Sequence, residues 1–329
     1  MRSRDPNTDQ LHVVFGGGQL GYAVAAAARG QGHSVVVATR SGADGPPDTS
    51  AVVCDARDAT AVAQVCAGAA VVYGCAHPPY AQWPELFPAI QRGLIEGVAR
   101  AGAVFVAAEN LYMYGAVDGP LREDLPYAAT TRKGEVRALM AQELHEAHAS
   151  GKVRTTSGRG SSFFGPRVTS SFMGPRVLGQ ACRGGIARVV GDPDVLHTYT
   201  YIADFARALV VLGQDPRSLG RAWHVPSAPT TSTREFLEAA ARVTGARAKV
   251  KAVPRAVIRV GGTIVPLLRE VQEMLYAFER PFVVDHARFA STFGDHWTEH
   301  RLALKRTADW MLNQSETTAP VTPPHSPFV

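Results

Sequence analysis

Val13-Val14-Phe15-Gly16-Gly17-Gly18-Gln19-Leu20-Gly21 decides the reading of this chain. The apolar run Leu11 to Phe15 has the make-up of a buried strand, and Leu20 to Arg29 is an alanine-rich helix ended by Gly30 and Gly32. Between them Gly16, Gly18 and Gly21 fit G-x-G-x-x-G. The first glycine permits a tight turn, the second lets backbone N–H groups approach a pyrophosphate, and the third lets the helix lie close on the sheet. Gln19 and Leu20 open that helix and belong to the same cradle. A second strand, Ser34 to Thr39, ends at Arg40-Ser41. Where a carboxylate at that strand end would hold a ribose 2′-hydroxyl, a guanidinium and a hydroxyl suit a 2′-phosphate. The pattern therefore predicts a dinucleotide site that prefers NADP(H) over NAD(H). The plainer alternatives are an ordinary tight turn for the glycines and a solvated surface arginine for Arg40.

Composition agrees with a packed globular chain: 329 residues are 46% hydrophobic, enough for one large domain or two ordinary ones. The net charge of +5 is carried by scattered arginines, with no basic block interleaved with aromatics, which argues against nucleic acid as a partner. No apolar run approaches bilayer length, which argues against a membrane partner. Cys54, Cys66, Cys75 and Cys182 show neither C-x-x-C spacing nor paired histidines, so no metal site is expected. With no secretory signal before them, they read as buried thiols of a cytoplasmic protein.

Strand-like and helix-like segments alternate through about residue 165, the signature of βαβ units. Strands are expected at Leu11 to Phe15, Ser34 to Thr39, Ala51 to Cys54, Ala70 to Cys75, Val104 to Ala108 and Val153 to Ser157, with helices near 20–31, 58–67, 84–101 and 130–149. The expected fold is α/β, a Rossmann-type doubly wound parallel sheet over 11–165 that also receives about 200–225, where Trp223-His224-Val225 reads as one more strand. Residues 166–200 and 226–313 would form a smaller C-terminal substrate lobe. Residues 1–10 and the Pro/Thr/Ser-rich tail 314–329 read as disordered.

Taken in order, these features resemble the short-chain dehydrogenase/reductase superfamily in its extended, epimerase- and dehydratase-like form, over about residues 11 to 312. Phe15 stands where that superfamily's first turn glycine would be, which marks an atypical member. The resemblance implies that Asp55 and Ala56, in Cys54-Asp55-Ala56-Arg57-Asp58, meet the adenine, although Asp55 could equally cap the next helix. Gly74-Cys75-Ala76-His77-Pro78-Pro79-Tyr80 resembles the fourth-strand end beside the cofactor ribose, which assigns Ala76 and His77 to cofactor and His77 and Tyr80 to substrate. Arg159-Gly160-Ser161-Ser162-Phe163-Phe164-Gly165-Pro166 resembles the sixth-strand end R-x-x-x-x-Y-G-P, where Phe163 and Phe164 would grip the carboxamide.

The superfamily's proton donor is a tyrosine four residues before a lysine. Lys133 matches the lysine and would also bind the nicotinamide ribose, but Ala129 occupies the tyrosine position. Glu109-Asn110-Leu111-Tyr112-Met113-Tyr114-Gly115 resembles S-S-x-x-x-Y-G and puts Asn110 in the serine position, where it can hydrogen-bond a carbonyl oxygen. Tyr127 and Tyr112 are the candidates for a relocated donor, while Tyr114 reads as structural. His197 and Tyr199 lie in the loop returning beneath the pocket and are substrate candidates, Asp204 reads as a helix N-cap, and Glu270 to Arg280 reads as an apolar-faced helix.

Two functions follow. One is an NADP(H)-dependent oxidoreductase acting on a carbonyl or alcohol of a small organic metabolite through an active site lacking Tyr-x-x-x-Lys. The other is non-redox epimerase, dehydratase or cyclase chemistry on the same nucleotide-binding fold. A homodimer through helices 84–101 and 130–149 is a further expectation of the resemblance.

Overall fold

The computed structural model describes residues 9–43, 45–264 and 272–317. The first half of the chain lays down β1 (Leu11–Phe15), α1 (Gln19–Gly30), β2 (Ser34–Thr39), β3 (Ser50–Val53), α2 (Ala59–Val65), β4 (Val71–Gly74), α3 (Trp83–Ala101), β5 (Val104–Glu109), α4 (Arg132–Ala149) and β6 (Arg154–Arg159). With a seventh strand, Ala222–His224, they form a parallel sheet in which β6, β5, β4, β1, β2 and β3 follow that strand in order. This is the doubly wound Rossmann arrangement, and its order reverses between β1 and β4. The crevice beyond the carboxyl ends of those two strands is where such sheets bind ligands.

The central strands β1, β2, β4 and β5 are largely apolar because both faces are covered. Val14, Val37, Tyr73 and Val106 pack on one face against Val24, Ala28 and Leu209, while Val13, Phe15, Val72 and Phe105 pack on the other against Val62, Leu94 and Val98. Side chains fully buried in this way each contribute about 1.5–3 kcal/mol. The helix Ile202–Gln214 lies beside α1 on the first face, so the chain returns to the sheet before Ala222–His224 is added.

The lobe has its own core, made by Phe164, Tyr199, Tyr201, Phe236, Leu304 and Met311. It is tied to the carboxyl end of β6 by a parallel pair, Ser162–Phe164 with Tyr199–Tyr201. A capping box at Ser232 and Glu235 starts its helix Thr233–Arg242.

Several local expectations are corrected. Asp9 and Gln10 are held to β2, the Asp9 side chain accepting from Ser34 Oγ at 2.8 Å and the Gln10 carbonyl from Ser34 N–H at 3.1 Å. The last helix runs His300–Thr317, beyond the expected start of the tail at residue 314. Residues 1–8 and 318–329 of the expected disordered ends lie outside the described residues. So do Glu270 and Val271 of the expected helix, whose described part is helical chiefly over Tyr276–Glu279. Asp204 does not cap its helix. It sits buried in the first turn and accepts from both N–H and Oγ1 of Thr298 at 2.7 Å, pinning the chain before the last helix.

Candidate active site

The glycine turn closes against the end of β4. Gly16 adopts φ of +109°, and a Cβ there would lie 2.7 Å from the Ala76 nitrogen. A Cβ on Gly21 would lie 1.8 Å from the Gly16 carbonyl oxygen, so backbone touches backbone where α1 leaves the sheet. Gly18 precedes α1 in an extended conformation with no side-chain cap, which leaves the N–H groups of Gln19, Leu20 and Gly21 for an anion. Beside this turn opens a groove of about 570 Å³, walled by Gly16, Gly18, Arg40, Ser41, Asp55, Ala56, Ala76 and His77. These residues fit a dinucleotide. A side chain at either tight glycine would fill its cradle, and the open helix start offers donors to a diphosphate.

At the groove's far end Arg40 is exposed. Asp55 is held by Arg57, Nη2 to Oδ2 at 2.5 Å and Nε to Oδ1 at 3.0 Å. These hydrogen bonds, with Arg40 adding to them, pull the Asp55 carboxyl down to about 2. The capping alternative for Asp55 falls to Asp58, which accepts from the N–H groups of Thr60 and Ala61 at 2.9 and 3.1 Å.

The groove leads into a second cavity of about 140 Å³ between the sheet and the lobe. Of the candidate site residues, Gln19, Leu20, His77, Tyr80, Asn110, Tyr112, Phe163 and His197 stand on its wall. The rest of the wall is strongly aromatic, with Trp83, Phe87, Phe172, Phe278 and Phe282. His197 bonds Ser162 Oγ through Nε2 at 2.9 Å, and burial pushes its pKa down to about 4, so it is neutral at physiological pH. His77, exposed at the mouth of the cavity, has Nδ1 3.2 Å from the Pro78 carbonyl oxygen. Asn110 turns its Oδ1 to the Tyr112 N–H at 3.2 Å and so fixes the start of the 3₁₀ turn Tyr112–Tyr114.

The two candidate tyrosines separate cleanly. Tyr112 is on the cavity wall with Tyr80, and burial raises its hydroxyl above the ordinary value, so it stays protonated. Tyr127 is not among the wall residues. Its hydroxyl accepts from Arg159 Nη2 at 2.6 Å, which holds this candidate donor away from the cavity. Lys133 also stands back from the wall: its ammonium is 2.7 Å from Glu273 Oε2 and 4.4 Å from the centre of the Tyr80 ring. Lys133 therefore lies behind Tyr80, which is itself on the wall. Two further assignments are corrected. Phe164 is wholly buried in the lobe core, one residue past the wall, because alternation along its strand turns it away from Phe163. Tyr199 is also in that core, stacked on Phe236 at 4.1 Å with its hydroxyl 2.7 Å from Thr233 Oγ1.

Sequence reading missed a buried ionic cluster that reaches the wall at Glu109 and Arg137. Glu109, at the end of β5, accepts from Arg159 Nε through Oε2 at 3.0 Å and from Arg137 Nη2 through Oε1 at 3.3 Å. Arg159 also donates to the Tyr114 hydroxyl at 2.5 Å, and Tyr114 meets His224 Nε2 at 2.9 Å. Burial works against the Arg159 cation but is outweighed by Glu109, Tyr114 and Tyr127, so its pKa is raised. Arg137 is lowered by burial, with Glu109 opposing. The signal was present in the sequence: Glu109 and Arg159 are charges closing apolar strands, and Arg137 lies one helical turn after Lys133.

A nucleotide-binding turn at the switch point and a walled cavity at the ends of β4, β5 and β6 are now in place, and the NAD dependent epimerase/dehydratase family matches residues 12–225. The chain belongs to that family. None of the curated proteins matches the sequence. Among solved structures, the epimerase Mth375 of Methanothermobacter thermautotrophicus superposes with a TM-score of 0.77 at 16% identity, covering 94% of each chain. A UDP-glucose-4-epimerase of Stenotrophomonas maltophila with bound NAD and formylated UDP-arabinopyranose gives 0.76 at 19% identity, over 94% of this chain and 100% of that one. A UDP-glucuronic acid 4-epimerase of Bacillus cereus in complex with NAD gives 0.73 at 15% identity, over 94% and 99%. At these identities the likeness to this family member is one of fold. No helix among the described residues is long and apolar enough to cross a membrane, and no cluster of metal-ligating side chains occurs among them.

Proposed function

We propose that the protein is a nicotinamide-dinucleotide-dependent enzyme acting at a carbonyl or alcohol carbon of a small, largely apolar organic molecule. Bound in the groove, the dinucleotide would supply hydride transfer at that carbon. The observation that carries the reading is the continuity of the glycine-turn groove with an aromatic cavity that has a protonated tyrosine, Tyr112, on its wall. Tyr112 holds the proton that the substrate oxygen takes up on reduction, with Tyr80 on the same wall. Lys133, above the Tyr80 ring and fixed by Glu273, keeps a positive charge near the pair. Asn110 stands beside them on the wall as a hydrogen-bonding group for the same oxygen. The aromatic wall excludes water, which strengthens each of these interactions.

The exposed Arg40 with Ser41 supports NADP(H) as the preferred dinucleotide, since the neighbouring carboxylate, Asp55, is already occupied by Arg57. Two of the structures named above contain NAD, which supports NAD(H) as the alternative dinucleotide.

A second reading, in which hydride returns to the substrate and the outcome is epimerisation or dehydration, is supported by the family itself. The wall weighs against a nucleotide sugar, because its described residues are mainly aromatic and aliphatic. Purified protein given NADPH or NADP⁺ and a panel of aryl and alkyl ketones and alcohols tests both. Net change in reduced-nicotinamide absorbance with substrate conversion is expected for the oxidoreductase, conversion without net change for the second reading. Conversion of neither class by a dinucleotide-loaded protein would refute the proposal.

A further inference from the structure

The ionic cluster reaching the cavity does not balance. Glu109 is the carboxylate shared by Arg137 and Arg159, and the three side chains are almost entirely buried. Arg159 has all its nitrogens engaged, Nε with Glu109 at 3.0 Å, Nη1 with Tyr114 at 2.5 Å and Nη2 with Tyr127 at 2.6 Å. Arg137 has not. Its Nη2 reaches Glu109 at 3.3 Å, its Nη1 has a sulfur, Met140 Sδ, at 3.8 Å, and its buried Nε has no hydrogen-bond partner. The surplus positive charge therefore falls on Arg137, and Arg137 is on the wall of the cavity.

Among the described residues, nothing on the wall besides Glu109 cancels that charge. His77 and Tyr112, the titratable groups beside it on the wall, are both uncharged at neutral pH, and Glu273 is taken by Lys133. A buried guanidinium with unused donors is costly unless paired, and its planar fork suits two oxygens at once. Two more buried groups on the same wall lack partners, Trp83 Nε1 and Ser161 Oγ. Around them the surface is apolar, with Phe87 4.9 Å beneath the Arg137 guanidinium.

Resting on the proposed function and naming its substrate class, we propose that the cavity receives a small aryl or alkyl carboxylate, the carboxylate taken by Arg137 and the apolar body held by the aromatic wall. The volume of about 140 Å³ suits a single ring, since an apolar cavity of about 150 Å³ accommodates benzene.

Benzoate and benzamide, equal in shape and different in charge, test this by calorimetric titration of the full chain with saturating NADPH at neutral pH. Benzoate is expected to bind about tenfold tighter or more. The preference should vanish in Arg137→Gln and weaken in Arg137→Lys, which keeps the charge and loses the fork. Equal binding of the two probes by the wild type, binding of neither, or a preference that survives Arg137→Gln would overturn the inference. Should Arg137→Gln not fold, the wild-type comparison and Arg137→Lys decide the matter by the same criterion. NADPH binding, titrated on the same samples, should not change. Its absence in the wild type would sink the proposed function instead.

Discussion

Replacing Glu109 with Gln removes the carboxylate that two buried guanidiniums share. Its side chain is 1% exposed and those of Arg137 and Arg159 are 3% and 2%, so bulk solvent screens the remaining charges little. Breaking a buried ion pair by deleting one partner costs about 3–5 kcal/mol, because the remaining charge is left uncompensated. Here two like charges remain, and the amide offers one oxygen where the carboxylate offered two. Destabilisation by at least 3 kcal/mol is a large part of the roughly 5–15 kcal/mol that holds a folded protein together. At about 2 °C per kcal/mol for a chain of this size, the midpoint should fall by roughly 6 °C or more. Urea and thermal unfolding of Glu109→Gln, Arg137→Gln and the double variant form the assay. Arg137→Gln alone leaves a balanced Glu109–Arg159 pair and should cost much less than Glu109→Gln. The double variant should be more stable than the sum of its parts by about 0.5–3 kcal/mol. A Glu109→Gln protein within about 1 kcal/mol of wild type, or strict additivity, would refute the charge-sharing argument.

Tyr112→Phe should lower kcat by about 10²–10⁴-fold on any substrate the protein turns over. Tyr127→Phe should act mainly on stability; the reverse ranking in steady-state kinetics would place the donor elsewhere. Arg40→Asp should weaken NADPH binding far more than NADH binding by titration, and equal losses would remove Arg40 from the 2′-position. Burial holds the pKa values of His12 and His224 to about 3 and of His197 to about 4, below the ordinary 6.5. As pH falls, the unfolded chain therefore takes up these protons first. Stability should be full above pH 6.5 and decline towards pH 4, by up to about 1.4 kcal/mol per pH unit for each histidine; a urea midpoint unchanged between pH 7 and pH 5 would contradict this.

The Rossmann half was legible because its signals are local. Apolar runs bounded by glycine, the alanine-rich α1 and the glycine spacing place each element within a residue or two. The strand ends that line the groove and cavity were legible for the same reason, since Ala76, His77, Asn110 and Phe163 follow directly from where the strands stop. What lay hidden depends on contacts between distant segments. Tyr127 looked free in its loop, but Arg159 claims its hydroxyl across 32 residues of sequence. Lys133 looked catalytic, but Glu273, from the far end of the chain, holds its ammonium and backbone N–H. Phe164 was misplaced because one residue of alternation decides whether a side chain faces cavity or lobe core, and Tyr199 because a strand ends at His197 and a new one, packed on Phe236, begins at Tyr199. Asp204 resembled a cap in sequence, and only the packed last helix supplies Thr298 as its partner.

The central claim, that a nicotinamide dinucleotide lies across the turn between β1 and α1, is tested most directly by equilibrium binding of NADPH and NADH to the wild type and to Gly21→Ala. A methyl group at that position would meet the Gly16 carbonyl at 1.8 Å and force the cradle open. The account predicts saturable binding by the wild type, loss of at least tenfold in Gly21→Ala, and a Gly21→Ala protein that remains folded. A wild-type protein that binds neither nucleotide, or a Gly21→Ala protein that binds as the wild type does, would contradict it.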